Sequence, residues 1–318
     1  MIRPIFTFTF CFCILLTFLL PEISLARTDP QIIETNSSHF FFRFHPADRV
    51  TIRKIMEQSE TLLKKITQDI GFTPGNPIGV IMASSESEFN QFQPSNRPLP
   101  SWAVGVAYPS GNVMVIRSPR LIQGNLKDTI KTFTHELCHL VLASGFEGRP
   151  IPRWLNEGLA MYESYEWRPS QDVLMARAVL SGTLIPLEDL TQAFGGNHFD
   201  VQKAYFQSYS LVHYLLSTYG PSRFRHFVLL LSKGKSFEQA LQNAFDITPQ
   251  AFETKWKRYL AFRFNWVPLL TSTGVLWGLI TVSLIGIYFV RKRKNKEILK
   301  EWAEQEERED ENEKNQPR

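Results

Sequence analysis

The chain has 318 residues, 43% of them hydrophobic and 21% charged, which excludes wholesale disorder. Its 35 bases and 31 acids leave a formal net charge of +4, a balance that gives no footing for a nucleic-acid partner. Two of the three cysteines, Cys11 and Cys13, fall inside an N-terminal apolar run, so a disulfide scaffold is excluded as well.

Residues 1–26 read as a secretory signal peptide. Arg3 supplies the positive start, Ile5 to Leu20 is apolar apart from threonines, and Ser24-Leu25-Ala26 places small residues at a cleavage site. An uncleaved anchor is the alternative, but the apolar run is short for a span. The stretch 27–263 is long enough for one substantial core. Within it, His39 to Phe44 predicts a strand. Asp48 to Asp69 predicts an amphipathic helix, with Ile52, Ile55, Met56, Leu62, Leu63 and Ile66 on one side and Gly71 as its stop. Ile78 to Ala83 predicts a buried strand. Trp102 to Tyr108 and Asn112 to Ile116, joined by Pro109-Ser110-Gly111, predict a hairpin. Beyond Leu126 the helical period takes over, with helices expected at 126–143, 153–165, 172–181, 200–219, 222–232, 236–245 and 249–263. Strands first and helices afterwards make an α+β domain with a mostly helical second half.

No charged residue occurs between Phe264 and Val290, and Val267 to Val290 is apolar enough to cross a bilayer as a helix. Arg291-Lys292-Arg293-Lys294-Asn295-Lys296 follows at once. The positive-inside rule places that cluster in the cytoplasm. The expected organisation is therefore a signal peptide at 1–26, an extracytoplasmic domain at 27–263 (periplasmic in a bacterium), one transmembrane helix at 267–290 and a charged cytoplasmic tail at 291–318. The tail carries nine bases and nine acids and nothing that looks catalytic.

The sharp motif is His135-Glu136-Leu137-Cys138-His139. Residues four apart share a helix face, so His135 and His139 can offer two imidazoles to one metal ion. Glu136 is turned about 100° away and can reach a metal-activated water without being a ligand, where a general base belongs. The flanking Ile130, Phe133, Leu137, Leu140, Val141 and Leu142 make this helix apolar enough to bury. Arg153-Trp154-Leu155-Asn156-Glu157-Gly158-Leu159-Ala160 opens the next helix after a proline-containing loop. A catalytic zinc takes three protein ligands and keeps one position for water, and Glu157 can be the third ligand. Cys138 reads as a small buried hydrophobe in preference to a redox or metal contact. Asn156 either orients Glu157 or caps its helix.

These two motifs resemble the gluzincin metallopeptidases, in which the first supplies two zinc ligands and the base and a downstream Asn-Glu supplies the third ligand. The wording of the second motif is close to the M1 aminopeptidase type, and Trp102 to Tyr259 is similar to the smaller peptidase MA-like domains. The resemblance implies a zincin-like helical half, a Zn2+ cofactor and a peptide or protein substrate. It also implies an oxyanion-stabilising tyrosine on a later helix: Tyr205, with Tyr209 as the alternative and His198 as a further electrophile. Two departures from the M1 pattern stand out. Seventeen residues separate His139 from Glu157, one fewer than in that type. Where M1 enzymes carry a glutamate for the substrate's free amine, this chain has Val104-Gly105-Val106-Ala107-Tyr108, without an acid. The expectation is thus a membrane-anchored zinc endopeptidase, against the alternative of a catalytically inactive zincin-like binding module. Glu163 and Glu166 remain rival sources of an amine-binding acid.

Overall fold

The computed structural model describes residues 32–92, 99, 103–167, 169–196, 198–264 and 273–314. The signal peptide, Trp102 and the first residues of the expected span lie outside these, as does the side chain of His198.

Among the described residues, five strands form one mixed sheet: β1 (Ile33–Asn36), β2 (Phe40–Phe44), β3 (Ile78–Ala83), β4 (Gly105–Tyr108) and β5 (Val113–Arg117). Their order is β1-β2-β3-β5-β4. β2, β3 and β5 run parallel, while β1 and β4 pair antiparallel at the two edges. The hairpin expected before the histidine motif is β4–β5. The helices are α1 (Arg49–Ile70), α2 (Glu86–Gln91), α3 (Leu126–Phe146), α4 (Arg153–Glu163), α5 (Pro169–Leu180), α6 (His198–Ser232), α7 (Phe237–Phe245), α8 (Pro249–Phe264) and α9 (Thr273–Lys314). The architecture is α+β, as the order of predicted elements implies.

Hydrophobic burial explains the layering. Phe40, Phe42, Val80, Met82, Met114 and Ile116 meet Ile52, Ile55 and Ile66 of α1 and Phe133, Leu137 and Leu140 of α3 in one continuous core. Each such side chain contributes about 1.5–3 kcal/mol when fully removed from water. The opposite face of the sheet carries a smaller cluster of Ile81, Ala83, Val115 and Phe89, the last from α2. β3 is therefore covered on both faces, which accounts for its unbroken apolar run.

Two elements escape the sequence reading. β1, Ile-Glu-Thr-Asn, is a short half-exposed edge with little apolar pattern. α2 is six residues long, although Ser85 caps it by accepting from the Glu88 amide at 3.1 Å, a signal visible in the sequence. The two helices expected at 200–219 and 222–232 are both present within α6, divided where Gly220 (φ 79°) leaves the helical conformation before Pro221.

The core positions two helices for the site. α3 starts on Asn125, whose side chain accepts from the Asp128 amide at 3.0 Å. α4 crosses α6 at Gly158, where a Cβ would fall on the Ser208 carbonyl. Only a glycine allows that approach, and it brings the N-terminal half of α6 over the start of α4.

α9 is long and apolar enough to cross a membrane, with a mean hydropathy of 1.7 in its most apolar window and none of that window buried.

Candidate metal centre

His135 and His139 project from the buried helix α3 with their rings edge-on, centroids 4.8 Å apart. Glu157, on the first turns of α4, brings Oε2 to 3.9 Å from His135 Nε2 and 4.0 Å from His139 Nε2. The three ligand atoms lie within 4.8 Å of one another. Two imidazole nitrogens and one carboxylate oxygen converging from partly buried positions are a donor set that suits zinc.

The outward nitrogens are held. His139 Nδ1 donates to Asn156 Oδ1 at 3.0 Å, which leaves Nε2 with its lone pair toward Glu157. His135 Nδ1 lies 2.7 Å from Glu166 Oε1, which also accepts from Ser164 Oγ at 2.7 Å. Both imidazoles thus have the outer partner that metal-binding histidines normally have. Asn156 orients the second histidine, neither of the two roles its sequence position suggests.

Glu166 reaches His135 because the chain reverses at the end of α4. Tyr165 takes a left-handed backbone (φ 54°), and the Glu166 amide donates back to the Met161 carbonyl at 3.1 Å. Glycine usually marks such a reversal; a tyrosine there hides it from sequence inspection.

Glu136 sits beneath β4. A Cβ on Gly105 would stand 2.9 Å from Glu136 Oε1 and 2.6 Å from Thr132 Cγ2, so the strand can lie this close only through glycine. The carboxylate accepts from the Ala107 amide. Burial and the negative charges of Glu157 and Glu166 outweigh His135 and that amide, and push Glu136 up to about 7. Burial lowers His135, but the Glu166 hydrogen bond and the surrounding carboxylates overcome it and raise the imidazole to about 9. His139, buried and beside the His135 charge, falls to about 3. Burial raises Glu157 against the pull of His135 and Arg153.

The site opens into a cavity of about 900 Å³. One wall is β4 with the segment leading into it, and the facing wall carries Arg153, Phe194 and Tyr205. Tyr205 is hydrogen-bonded to Arg153 and packs edge-on against Phe194 at 5.0 Å; burial and the nearby Glu157 charge raise its hydroxyl to about 12. Tyr209 is stacked on Trp167 at 4.5 Å and is not among the lining residues.

The remaining candidates settle elsewhere. Cys138 is fully buried, and burial drives its thiol well above the ordinary range. Glu163 is buried in an ion pair with Lys65 and does not line the cavity. Tyr108 packs against the smaller sheet cluster. Sequence reasoning named Glu166 only as a possible amine-binding acid, not as the partner of His135, and missed the places of Arg153 and Phe194 in the cavity.

The Peptidase MA superfamily profile matches residues 58–262, from within α1 to the end of α8 and across both motifs. The chain belongs to that superfamily. Comparison with curated proteins returns no match. Among solved structures, the M1 zinc metallopeptidase from Deinococcus radiodurans is 14% identical, with a TM-score of 0.38 over 71% of this chain and 50% of that one. A mutant of the two-domain M1 zinc metallopeptidase bound to L-arginine is 13% identical, with a TM-score of 0.38 over 72% and 50%. The chain therefore spans about half the length of these proteins.

Proposed function

We propose that this chain is a membrane-anchored zinc peptidase that cuts within peptide chains. The observation that carries the reading is the convergence of His135, His139 and Glu157, with Glu136 beside them under a strand edge. Membership of the superfamily supports it. His135, His139 and Glu157 would hold the ion. Zinc in such a three-ligand site makes a water acidic enough to attack a carbonyl at neutral pH.

The chain's own groups supply the rest. Glu136, with its carboxyl held near 7, can take the proton of the attacking water at Oε1 or Oε2 and return it to the leaving amine. Tyr205 stays protonated at neutral pH, so its hydroxyl can donate to the oxygen on which charge develops. β4 is an edge strand, and its outer side can pair with an extended substrate backbone.

The reading of internal cleavage rests on charge. An enzyme that holds a substrate's ammonium beside a zinc needs a compensating carboxylate. Trp102 to Arg117 contains no Asp or Glu. Glu163 is engaged with Lys65, and Glu166 Oε1 with His135 and Ser164.

The proposed topology puts 27–263 outside the cytoplasm and 291–318 inside, with 267–290 crossing the membrane. Reporter fusions after residues 255 and 300 should report opposite sides; the same side for both refutes the span. For the activity, full-length chain in detergent should cleave a peptide library, lose that activity to a chelator and regain it with zinc. A cleaved peptide should still be cut internally after N-terminal acetylation. Processing of free-amine peptides alone, one residue at a time, would make Glu166 an amine anchor and the enzyme an aminopeptidase.

A further inference from the structure

Arg153 is the sole Lys or Arg among the described residues that line the cavity. Its position is not explained by local stability. It is the first residue of α4, and a cation at a helix N-terminus sits at the positive end of the dipole, where acids are favoured. Its ion pair with Glu157, four residues along the same helix, is loose. Its nearest carboxylate, Glu157 Oε1, is 3.8 Å from Nε, too far for a hydrogen bond, and half of the Arg153 side chain is exposed. When Glu157 serves an ion, that weak attraction is further reduced.

The guanidinium is nevertheless held in place. It lies over the Phe194 ring with Cζ 4.9 Å from the ring centre, and it bonds the Tyr205 hydroxyl. A guanidinium has five N–H donors in a rigid fork that matches a carboxylate. Fixed by an aromatic face and a phenol, it loses little freedom when it binds one. The facing β4 wall carries no charged side chain, so beyond the metal centre Arg153 is the one Lys or Arg among the described lining residues that a carboxylate entering the cavity can meet.

We propose that Arg153 is the carboxylate-binding residue of the cavity, and that the substrate is a peptide with a carboxylate close to the bond that is cut. The proposal rests on the peptidase reading above. The carboxylate comes from an acidic side chain or from the substrate's C-terminus, and both present the same chemistry to the fork.

The test uses full-length chain in detergent and two kinds of peptide pair. In one, both ends are blocked and a residue flanking the cleaved bond is Glu or Gln. In the other, the C-terminus near the cleaved bond is a free acid or an amide. The wild type should favour the carboxylate member of one pair by at least about tenfold in kcat/KM, the value of a charged hydrogen bond. The pair that discriminates identifies the source. Arg153→Gln should bring that ratio close to one, and Arg153→Lys should keep part of it. If no pair discriminates, or the preference survives Arg153→Gln, the proposal is wrong. An equal loss on all peptides in Arg153→Gln would reduce Arg153 to a support for Tyr205 and overturn it too. Should no peptide be cut, the peptidase reading fails by itself. Binding of the same fluorescent pairs to the Glu136→Gln chain, with and without Arg153→Gln, then decides the carboxylate preference independently.

Discussion

The two walls of the cavity offer a substrate different things. β4 presents small and β-branched side chains and the backbone of a sheet edge, brought against Glu136 by Gly105. The α4–α6 wall presents a guanidinium, a phenol and an aromatic ring that hold one another. A strand edge accepts almost any extended peptide, because main-chain hydrogen bonds do not distinguish side chains. In the proposed peptidase, discrimination and charge stabilisation would then come from the facing helices. The difference teaches how one proposed site would divide binding and selection between a backbone surface and a side-chain surface.

The side-chain wall predicts the larger loss. Tyr205→Phe removes one oxyanion donor and should lower kcat by about 10²–10³, with little change in KM. Tyr209→Phe should leave the rate unchanged, since Tyr209 does not line the cavity; steady-state kinetics on one peptide compares them. Equal effects would erase the assignment. The backbone wall is probed at Gly105. Gly105→Ala forces a methyl against Thr132 and Glu136, and a displacement of this kind should cost up to about a hundredfold in kcat while the fold persists. Full activity there would mean that β4 stands farther from Glu136 than described.

Much of the centre was legible in the sequence, for a physical reason. His135, Glu136 and His139 share one helix, so their relative placement follows from 3.6 residues per turn, and Glu157 lies just past a short loop. Arg153, Phe194 and Tyr205 meet through a helix crossing at Gly158 and a loop before α6, contacts of long sequence separation that no local period encodes. Glu166 was hidden by a left-handed tyrosine where glycine is the usual sign. The same logic separates the apolar helices. The polar residues of α3 find partners in the core, whereas the apolar run of α9 has no charged interruption, its Thr281 and Ser283 hydroxyls bond back to the helix's own carbonyls, and it is unburied. Composition separates them less well than the placement of polar residues.

Smaller effects concern the support of the ligands. Glu166→Gln weakens the hold on His135 and should reduce zinc affinity by about 10–100-fold, measured by competition with a chelating dye. An unchanged affinity would leave Glu166 without its orienting role. In the metal-free chain the His135 imidazole is pushed up to about 9, so below that pH a proton competes with the ion. Zinc affinity should therefore rise with pH and level off above about 9. A flat profile between pH 6 and that value would show that His135 is not protonated in competition with metal.

The most direct test of the account measures zinc content and peptide cleavage together, in the full-length wild type, Glu136→Gln and His139→Ala. The wild type should hold one zinc and cut peptide. Glu136→Gln should keep the zinc and lose about 10²–10⁴ of the rate, the range for a general base. His139→Ala should lose both. Cleavage that survives Glu136→Gln, or zinc bound as tightly after His139→Ala, would contradict the assignment of these residues.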